Sequence, residues 1–94
     1  MDNTVSGRQI KAARAILGWT REVLAARAGV TAATVKIVET DDTGLSALAP
    51  TRNQLVDVLE GERIVFLASP APGVQLVPAE DGLRPDELNA SNDD

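Results

Sequence analysis

Residues 18–39, GWTREVLAARAGVTAATVKIVE, predict two short helices joined by a tight turn. Thr20 and Thr31 each precede a helix-forming run, and threonine is a common residue at helix N-termini because its hydroxyl binds a free backbone N–H. Gly29 lies between the two runs, where glycine readily ends a helix. A short glycine-containing turn between two short helices is typical of a helix-turn-helix unit.

Two further helices are predicted on either side of this stretch. Ser6 and Gln9 form a capping-box pattern before the first helix, and Thr51 and Gln54 repeat it before the fourth, with Pro50 stiffening the entry. Apolar residues recur at helical spacing in all four segments. The predicted helices cover about 7–17, 21–28, 32–40 and 52–60, with a loop at 41–50.

After the fourth helix, residues 62–77 predict a two-stranded β-hairpin, because two apolar runs flank a proline-rich turn. The first run does not alternate with polar residues, so we expect burial on both faces. The helices of one chain can cover only one face, which favours a homodimer interface. Alternatively, the hairpin closes the core of its own chain. The candidate interface residues are Ile64, Val65, Phe66, Leu67, Val74 and Leu76.

Charge is distributed unevenly along the 94 residues, whose net charge is −5. Basic residues exceed acidic ones in the first 40 residues, which favours an anionic partner, although scattered charges can also simply solvate helix faces. Residues 78–94 are acidic and poor in apolar side chains, so we expect them to be disordered. Such a tail is a solubilising end, a cover for the basic face, or a docking segment for a protein partner.

The composition excludes several kinds of site. The chain has no cysteine and no histidine, so it offers no disulfide, no thiolate or imidazole metal site and no His- or Cys-based catalysis. Its acidic residues form no catalytic motif, and we therefore predict no enzyme activity, no cofactor and no metal. It has no apolar run of about 20 residues and no signal-peptide core, so we expect a cytoplasmic protein without membrane contact.

Together these segments resemble the Xre/Cro-type, lambda repressor-like helix-turn-helix proteins of bacteria and phages. The resemblance covers about residues 7–77 and is carried mainly by residues 18–25, 28–31 and 34–39. It implies a mainly α fold, with a four-helix domain at 1–61 and a β-ribbon at 62–77, and leaves the tail unexplained. It also implies that Arg14 pairs with Glu39 to orient the third helix.

By this resemblance the third helix enters the DNA major groove and the second crosses the phosphate backbone. A helical wheel built on the buried valines places four third-helix residues outward and two at the flanks. Arg21 stands where the family often has glutamine, and Ile37 where it often has a polar residue. The candidate DNA-binding residues are Arg21, Thr31, Ala32, Ala33, Thr34, Lys36, Ile37 and Thr40.

The predicted function is sequence-specific binding of double-stranded DNA by a homodimer that regulates transcription, as a repressor. An adaptor function is the alternative. In that case the helix-turn-helix scaffold and the acidic tail bind a protein, as the antitoxins of this family do. Salt-dependent binding of DNA distinguishes the two, because a pure adaptor has none.

Overall fold

A computed structural model describes residues 5–78, and the acidic tail from 79 onward lies outside the described residues. The described chain is mainly helical and ends in a small antiparallel hairpin. Its elements are α1 (Gly7–Leu17), α2 (Arg21–Ala28), α3 (Ala32–Glu39), a 3₁₀ turn (Ser46–Leu48), α4 (Ala49–Glu60), β1 (Ile64–Leu67) and β2 (Gly73–Leu76).

The first three predicted helix starts are confirmed. Ser6 and Gln9 form a complete capping box, in which each side chain accepts a hydrogen bond from the other residue's backbone N–H. The hydroxyls of Thr20 and Thr31 each accept a hydrogen bond from the N–H three residues later, both at 3.1 Å. The third helix ends at Glu39, one residue before the predicted boundary, and Thr40 is its C-terminal cap. These hydrogen bonds fix the ends of the helices locally.

The predicted cap of the fourth helix is wrong. The helix begins at Ala49, so that Pro50 lies in its first turn and Thr51 lies inside it. No side chain caps this helix, because the preceding 3₁₀ turn leads directly into it and proline suits a first turn. Gln54 therefore does not complete a capping box, and its amide instead donates to the carbonyl oxygen of Ala28 at 3.3 Å.

The hydrophobic core lies between the four helices and the first strand. It is aliphatic, and its central side chains have no solvent contact, which removes about 25 cal/mol of unfavourable hydration per Å² of apolar surface. The core residues are Ile10, Ala13, Leu24, Ala25, Val35, Val38, Leu55, Leu59 and Ile64.

The hairpin has a regular antiparallel register, in which Ile64 lies opposite Leu76 and Phe66 lies opposite Val74. The helix α1 packs along β2. Gln9 also fastens the turn end of the hairpin, since its side-chain N–H₂ group donates to the carbonyl oxygens of Leu67 and Gly73 at 2.8 and 3.0 Å. Among the described residues, this amide supplies the side-chain hydrogen bonds between hairpin and helices.

Within one chain β1 is buried on one face, as expected if the helices cover a single face, and burial of the other face stays a prediction. Ile64 is 2% exposed and lies in the core, whereas the next residue, Val65, is 40% exposed. Side chains alternate between the two faces of a strand, and only one face here meets the helices. Of the other candidate interface residues, Phe66, Leu67 and Val74 are half-buried, and Leu76 is 44% exposed.

Candidate nucleic-acid interface

The turn between α2 and α3 is built from the three residues 29–31 and fixes the orientation of one helix relative to the other. Gly29 ends α2 in the left-handed conformation (φ 74°), which glycine adopts without steric cost. Val30 donates its N–H back to the Ala25 carbonyl at 3.0 Å, and Thr31 then starts α3. This Schellman-type ending directs the chain from one helix straight into the next.

The helix α3 presents two different sides. Val35 and Val38 are fully buried and attach it to the core. The opposite side, which we name the α3 outer face, is open to solvent, and Ile37 is 55% exposed. Ala32 and Thr34 are half-buried at its flanks, as the helical wheel predicts. The α3 outer face consists of Ala33, Lys36, Ile37 and Thr40.

Hydroxyl groups at both ends of α3 are already engaged within the helix. Thr31 and Thr34 bind each other through their hydroxyls at 2.9 Å, and the Thr31 hydroxyl also accepts the Thr34 N–H. The Thr40 hydroxyl donates to the Lys36 carbonyl at 2.9 Å. The first N–H groups of α3, at Ala32 and Ala33, have no partner within the helix, as at every helix N-terminus, and are suited to an anion.

Three helices meet at the buried carboxylate of Glu39, the last residue of α3. Arg14 from α1 donates to it through Nε at 2.7 Å and through a terminal nitrogen at 3.2 Å. The same arginine donates to the carbonyl of Trp19. Arg21, the first residue of α2, donates its Nε–H at 3.0 Å to Oε1, the oxygen that also accepts from the terminal nitrogen of Arg14. The cluster therefore fixes the end of α3 against both preceding helices through charge-assisted hydrogen bonds.

Sequence reasoning placed Arg14 beside Glu39 but missed the second arginine. Arg21, a candidate DNA-binding residue, also contacts Glu39, and this contact uses only one of the five N–H donors of its guanidinium group. Its side chain is about one-third exposed, so part of it is accessible to solvent. The sequence feature that could have indicated this contact is a glutamate at the last position of α3, together with one arginine in the last turn of α1 and another at the start of α2.

A second buried ion pair holds the chain that leaves α3. The carboxylate of Asp41 accepts hydrogen bonds from Thr43, from the Leu45 N–H and, at 3.2 Å, from Arg52 of α4. Arg52 also donates to the Leu45 carbonyl at 3.0 Å. Burial acts to raise the pKa of Asp41, but these hydrogen bonds outweigh it and hold the pKa below its ordinary value. Nothing in the sequence pattern indicated this pair.

Positive charge near the α3 outer face is sparse. Lys36 is the cation of α3 itself, and its side chain is exposed. Two other arginines make surface contacts within the chain: Arg8 lies 3.7 Å from Asp42, and Arg27 stacks over the Trp19 ring at 4.7 Å. Any anion at this face therefore depends on Lys36, on the free donors of Arg21 and on helix N–H groups.

Other kinds of site find little support in residues 5–78. No three acidic side chains of this range are grouped as metal ligands. A cavity of about 590 Å³ lies between the start of α1 and the hairpin turn, away from the α3 outer face. None of the described helices is long and apolar enough to cross a membrane.

Comparison with protein-family models, with curated proteins and with solved structures gave no match for this chain.

Proposed function

We propose that this protein is a sequence-specific DNA-binding regulator of transcription, acting as a repressor and as a homodimer, with a lambda repressor-like helix-turn-helix fold. The observation that carries the proposal is the two-sided helix α3. Its buried valines fix it to the core, and its outer face is free. An α-helix with side chains is about 10–12 Å wide, close to the roughly 12 Å width of the DNA major groove.

The α3 outer face has the chemistry to read base edges. The ammonium group of Lys36 can donate to O6 and N7 of guanine or to a phosphate oxygen. The methyl groups of Ala32, Ala33 and Ile37 suit contact with thymine methyl groups. The hydroxyls of Thr31 and Thr34 retain acceptor capacity for a base amine. Specificity in this proposal comes from one cation and several methyl contacts.

Phosphate binding in this proposal begins with Arg21. Glu39 holds its Nε–H, and the terminal amino groups remain at the start of α2. A guanidinium held in this way binds a phosphate with less loss of side-chain freedom than a free one. The arrangement is therefore suited to an α2 helix that crosses the backbone while α3 lies in the groove.

Because the whole chain has a net charge of −5, its affinity for DNA depends on the few cations near the α3 outer face. Binding to phosphates releases counterions, so the affinity falls steeply as salt rises. Two copies of the chain present two α3 helices to half-sites about 34–36 Å apart, one turn of DNA. We therefore expect binding at low salt, to a site with two similar halves.

Selection of bound sequences from random DNA by the purified protein tests the proposal. Against the selected site, Lys36→Ala is expected to weaken binding about tenfold or more, the effect of one lost base contact. Ala33→Glu is expected to abolish binding, because it places a carboxylate beside the phosphates. Arg63→Gln, which removes a cation beyond α4, is the control and should retain most of the affinity. Unchanged affinity in both α3 variants would refute this docking.

A protein-binding adaptor is the second candidate, and one observation favours it. Ile37 is 55% exposed in the middle of the α3 outer face, and an apolar side chain there also suits a protein surface. An adaptor would show no salt-dependent DNA binding even at low ionic strength. Ile37→Lys separates the two functions: it should strengthen DNA binding and weaken binding of an apolar protein surface.

A further inference from the structure

The hairpin has an open strand edge and carries no charge. Residues 64–79 contain no Asp, Glu, Lys or Arg, although 24% of the whole chain is charged. Val77 donates its N–H to the Arg63 carbonyl at 2.9 Å, and bonded pairs alternate in an antiparallel ladder. The N–H and C=O groups of Val74 and Leu76 therefore point away from β1. No helix or loop of residues 5–78 supplies hydrogen bonds to these groups.

The β2 edge is more accessible than the β1 edge. Gln75, Leu76 and Val77 are all exposed, whereas β1 begins with the buried Ile64. The cavity of about 590 Å³ lies at the turn end of β2, bordered by Gly73 and Val74 and by the small side chain of Ala12 on α1, which leaves this end of the edge accessible. Natural proteins usually protect such an edge with charged side chains, and this one has none.

We propose that β2 pairs antiparallel with β2 of a second copy of this chain, around a two-fold axis at Gln75. The product is a four-stranded sheet in the order β1–β2–β2–β1. Pro72 and Pro78 lie three residues on either side of Gln75. In the register centred on Gln75, Val74 and Leu76 of the two copies form two complete hydrogen-bonded pairs, and the prolines face each other. A centre at Val74 or Leu76 gives one complete pair and two pairs in which a proline, which has no N–H, leaves a single hydrogen bond. Only the Gln75-centred register pairs Val74 with Leu76 of the second copy.

A second copy fits this edge better than a different protein does. Each chain has a net charge of −5, so two copies repel each other over most of their surfaces. The hairpin is the longest uncharged stretch of the chain and avoids this repulsion. When two β2 strands pair antiparallel about Gln75, each strand presents the same residues to the other. The pairing surface is therefore complementary to itself, as a two-fold interface requires. Beside the edge, Arg8 and Asp42 are paired with each other within the chain at 3.7 Å, so this border adds no net charge.

The opposite edge is less suited to the same pairing. The space beside β1 is bordered by Glu60 and Val5 of the same chain. Two copies joined through β1 would bring two Glu60 carboxylates towards each other. Pairing through β2 instead places Leu76, now 44% exposed, next to Val74 of the second copy on the apolar face of the sheet.

The role of this dimer, which is to present two α3 helices to one DNA site, rests on the proposed function. The pairing of the strands does not. Its test does not require DNA. The chain has no cysteine, so a single introduced cysteine reports one position. Facing Cα atoms of a non-hydrogen-bonded antiparallel pair lie about 4.5 Å apart, within the roughly 4.4–6.8 Å range of disulfides. Gln75→Cys in the full chain should therefore form a disulfide-linked dimer on mild oxidation.

Val65→Cys is the matched control. Val65 lies opposite Gln75 on the same face of the hairpin and is similarly exposed. In the proposed sheet the two Val65 residues are separated by three strand spacings, about 14 Å, and cannot be bridged. Cross-linking of Gln75→Cys alone supports the proposal. Cross-linking of Val65→Cys, or of neither variant, overturns it.

Sedimentation of the unmodified chain and of Gln75→Glu gives an independent measurement. Two facing carboxylates at the axis are expected to raise the dimer dissociation constant at least tenfold, while Val65→Glu leaves it within about threefold. Equal effects of the two substitutions, or a monomeric wild-type chain at micromolar concentration, overturn the proposal. Absence of DNA binding in a chain that still cross-links through Gln75→Cys would instead refute the proposed function alone.

Discussion

The helical part of the molecule and the hairpin differ in how they use charge. In the helical part, Glu39 and Asp41 have buried carboxylates. Glu39 accepts hydrogen bonds from Arg14 and Arg21, and Asp41 accepts them from Arg52, from Thr43 and from the Leu45 N–H. In the hairpin, residues 64–79 carry no charge, and the amide of Gln9 supplies their side-chain hydrogen bonds to the described helices. The buried acids of the helical part therefore find their hydrogen-bond donors within the chain. In the hairpin, the outward-facing backbone N–H and C=O groups of β2 have no partner among the described residues.

This difference indicates a division of roles. Removing one partner of a buried ion pair leaves an uncompensated charge, so such pairs favour a single arrangement of the helices that they join. Here the two pairs hold the C-terminal end of α3 and the chain that leaves it. A small two-stranded sheet, in contrast, is marginally stable without further packing. The helical part is suited to hold a rigid recognition surface, and the hairpin is suited to accept a partner.

The largest expected effect comes from breaking the helical cluster at its centre. Glu39→Ala leaves Arg14 and Arg21 without their shared carboxylate and should lower the free energy of unfolding by about 3–5 kcal/mol. Urea unfolding followed by the fluorescence of Trp19 measures the change. Asp57→Ala, at an exposed position of α4, is the control and should change stability by less than about 0.5 kcal/mol. If Glu39→Ala changed the free energy of unfolding as little as Asp57→Ala does, the cluster would contribute no stability.

A smaller effect is expected where the hairpin meets the helices. Gln9→Leu removes the hydrogen bonds to the Leu67 and Gly73 carbonyls and half of the capping box, at a cost of about 1–2 kcal/mol. Amide hydrogen exchange should accelerate in the hairpin more than in α2 and α3, since the side chain holds the hairpin turn. Uniform acceleration throughout the chain would contradict this view of the hairpin as a separately attached unit.

The helix starts give a third and still smaller comparison. Thr20→Ala removes a hydroxyl that accepts the Val23 N–H and should cost about 1 kcal/mol in urea unfolding. Thr51→Ala should cost less than about 0.5 kcal/mol, because Thr51 lies inside α4 and caps nothing. Equal losses from the two substitutions would restore the sequence-based assignment of Thr51 as a cap.

The smallest expected effect is a dependence on pH in the second ion pair. The pKa of Asp41 is lowered in the folded chain, so its carboxylate stabilises the fold above the ordinary value of 3.8, and this contribution is lost as the pH falls through the lowered pKa. The stability difference between the wild type and Asp41→Asn should therefore shrink below pH 3.8. Asp42→Asn, at an exposed neighbour, is the control for general acid effects. A difference that stays constant down to pH 2 would contradict the role given to Asp41.

Much of the helical framework was predictable from local sequence. The caps at Ser6, Thr20 and Thr31 act within one turn of chain, so their pattern predicts the helix starts directly. Thr51 has the same pattern but lies inside a helix, because the preceding turn and Pro50 begin that helix earlier. Local patterns are reliable only where no neighbouring segment offers a competing start.

The candidate site was predictable in part. The sequence placed four residues on the α3 outer face, since helical periodicity alone determines which side chains oppose the buried valines. It did not predict the contact of Arg21 with Glu39 or that of Arg52 with Asp41. These pairs join residues on different elements, and no local spacing encodes them.

The sequence by itself determined the starts of the first three helices, the apolar faces and the uncharged hairpin, because these follow from interactions between residues a few positions apart. The tertiary structure decided which charges are buried together and which strand edge remains open. Gly7 shows the reason: any side chain there would collide with the carbonyl oxygens of Val38 and Glu39, which only folding brings beside it. Close approaches between distant segments depend on how the helices pack, and packing is a property of the whole chain.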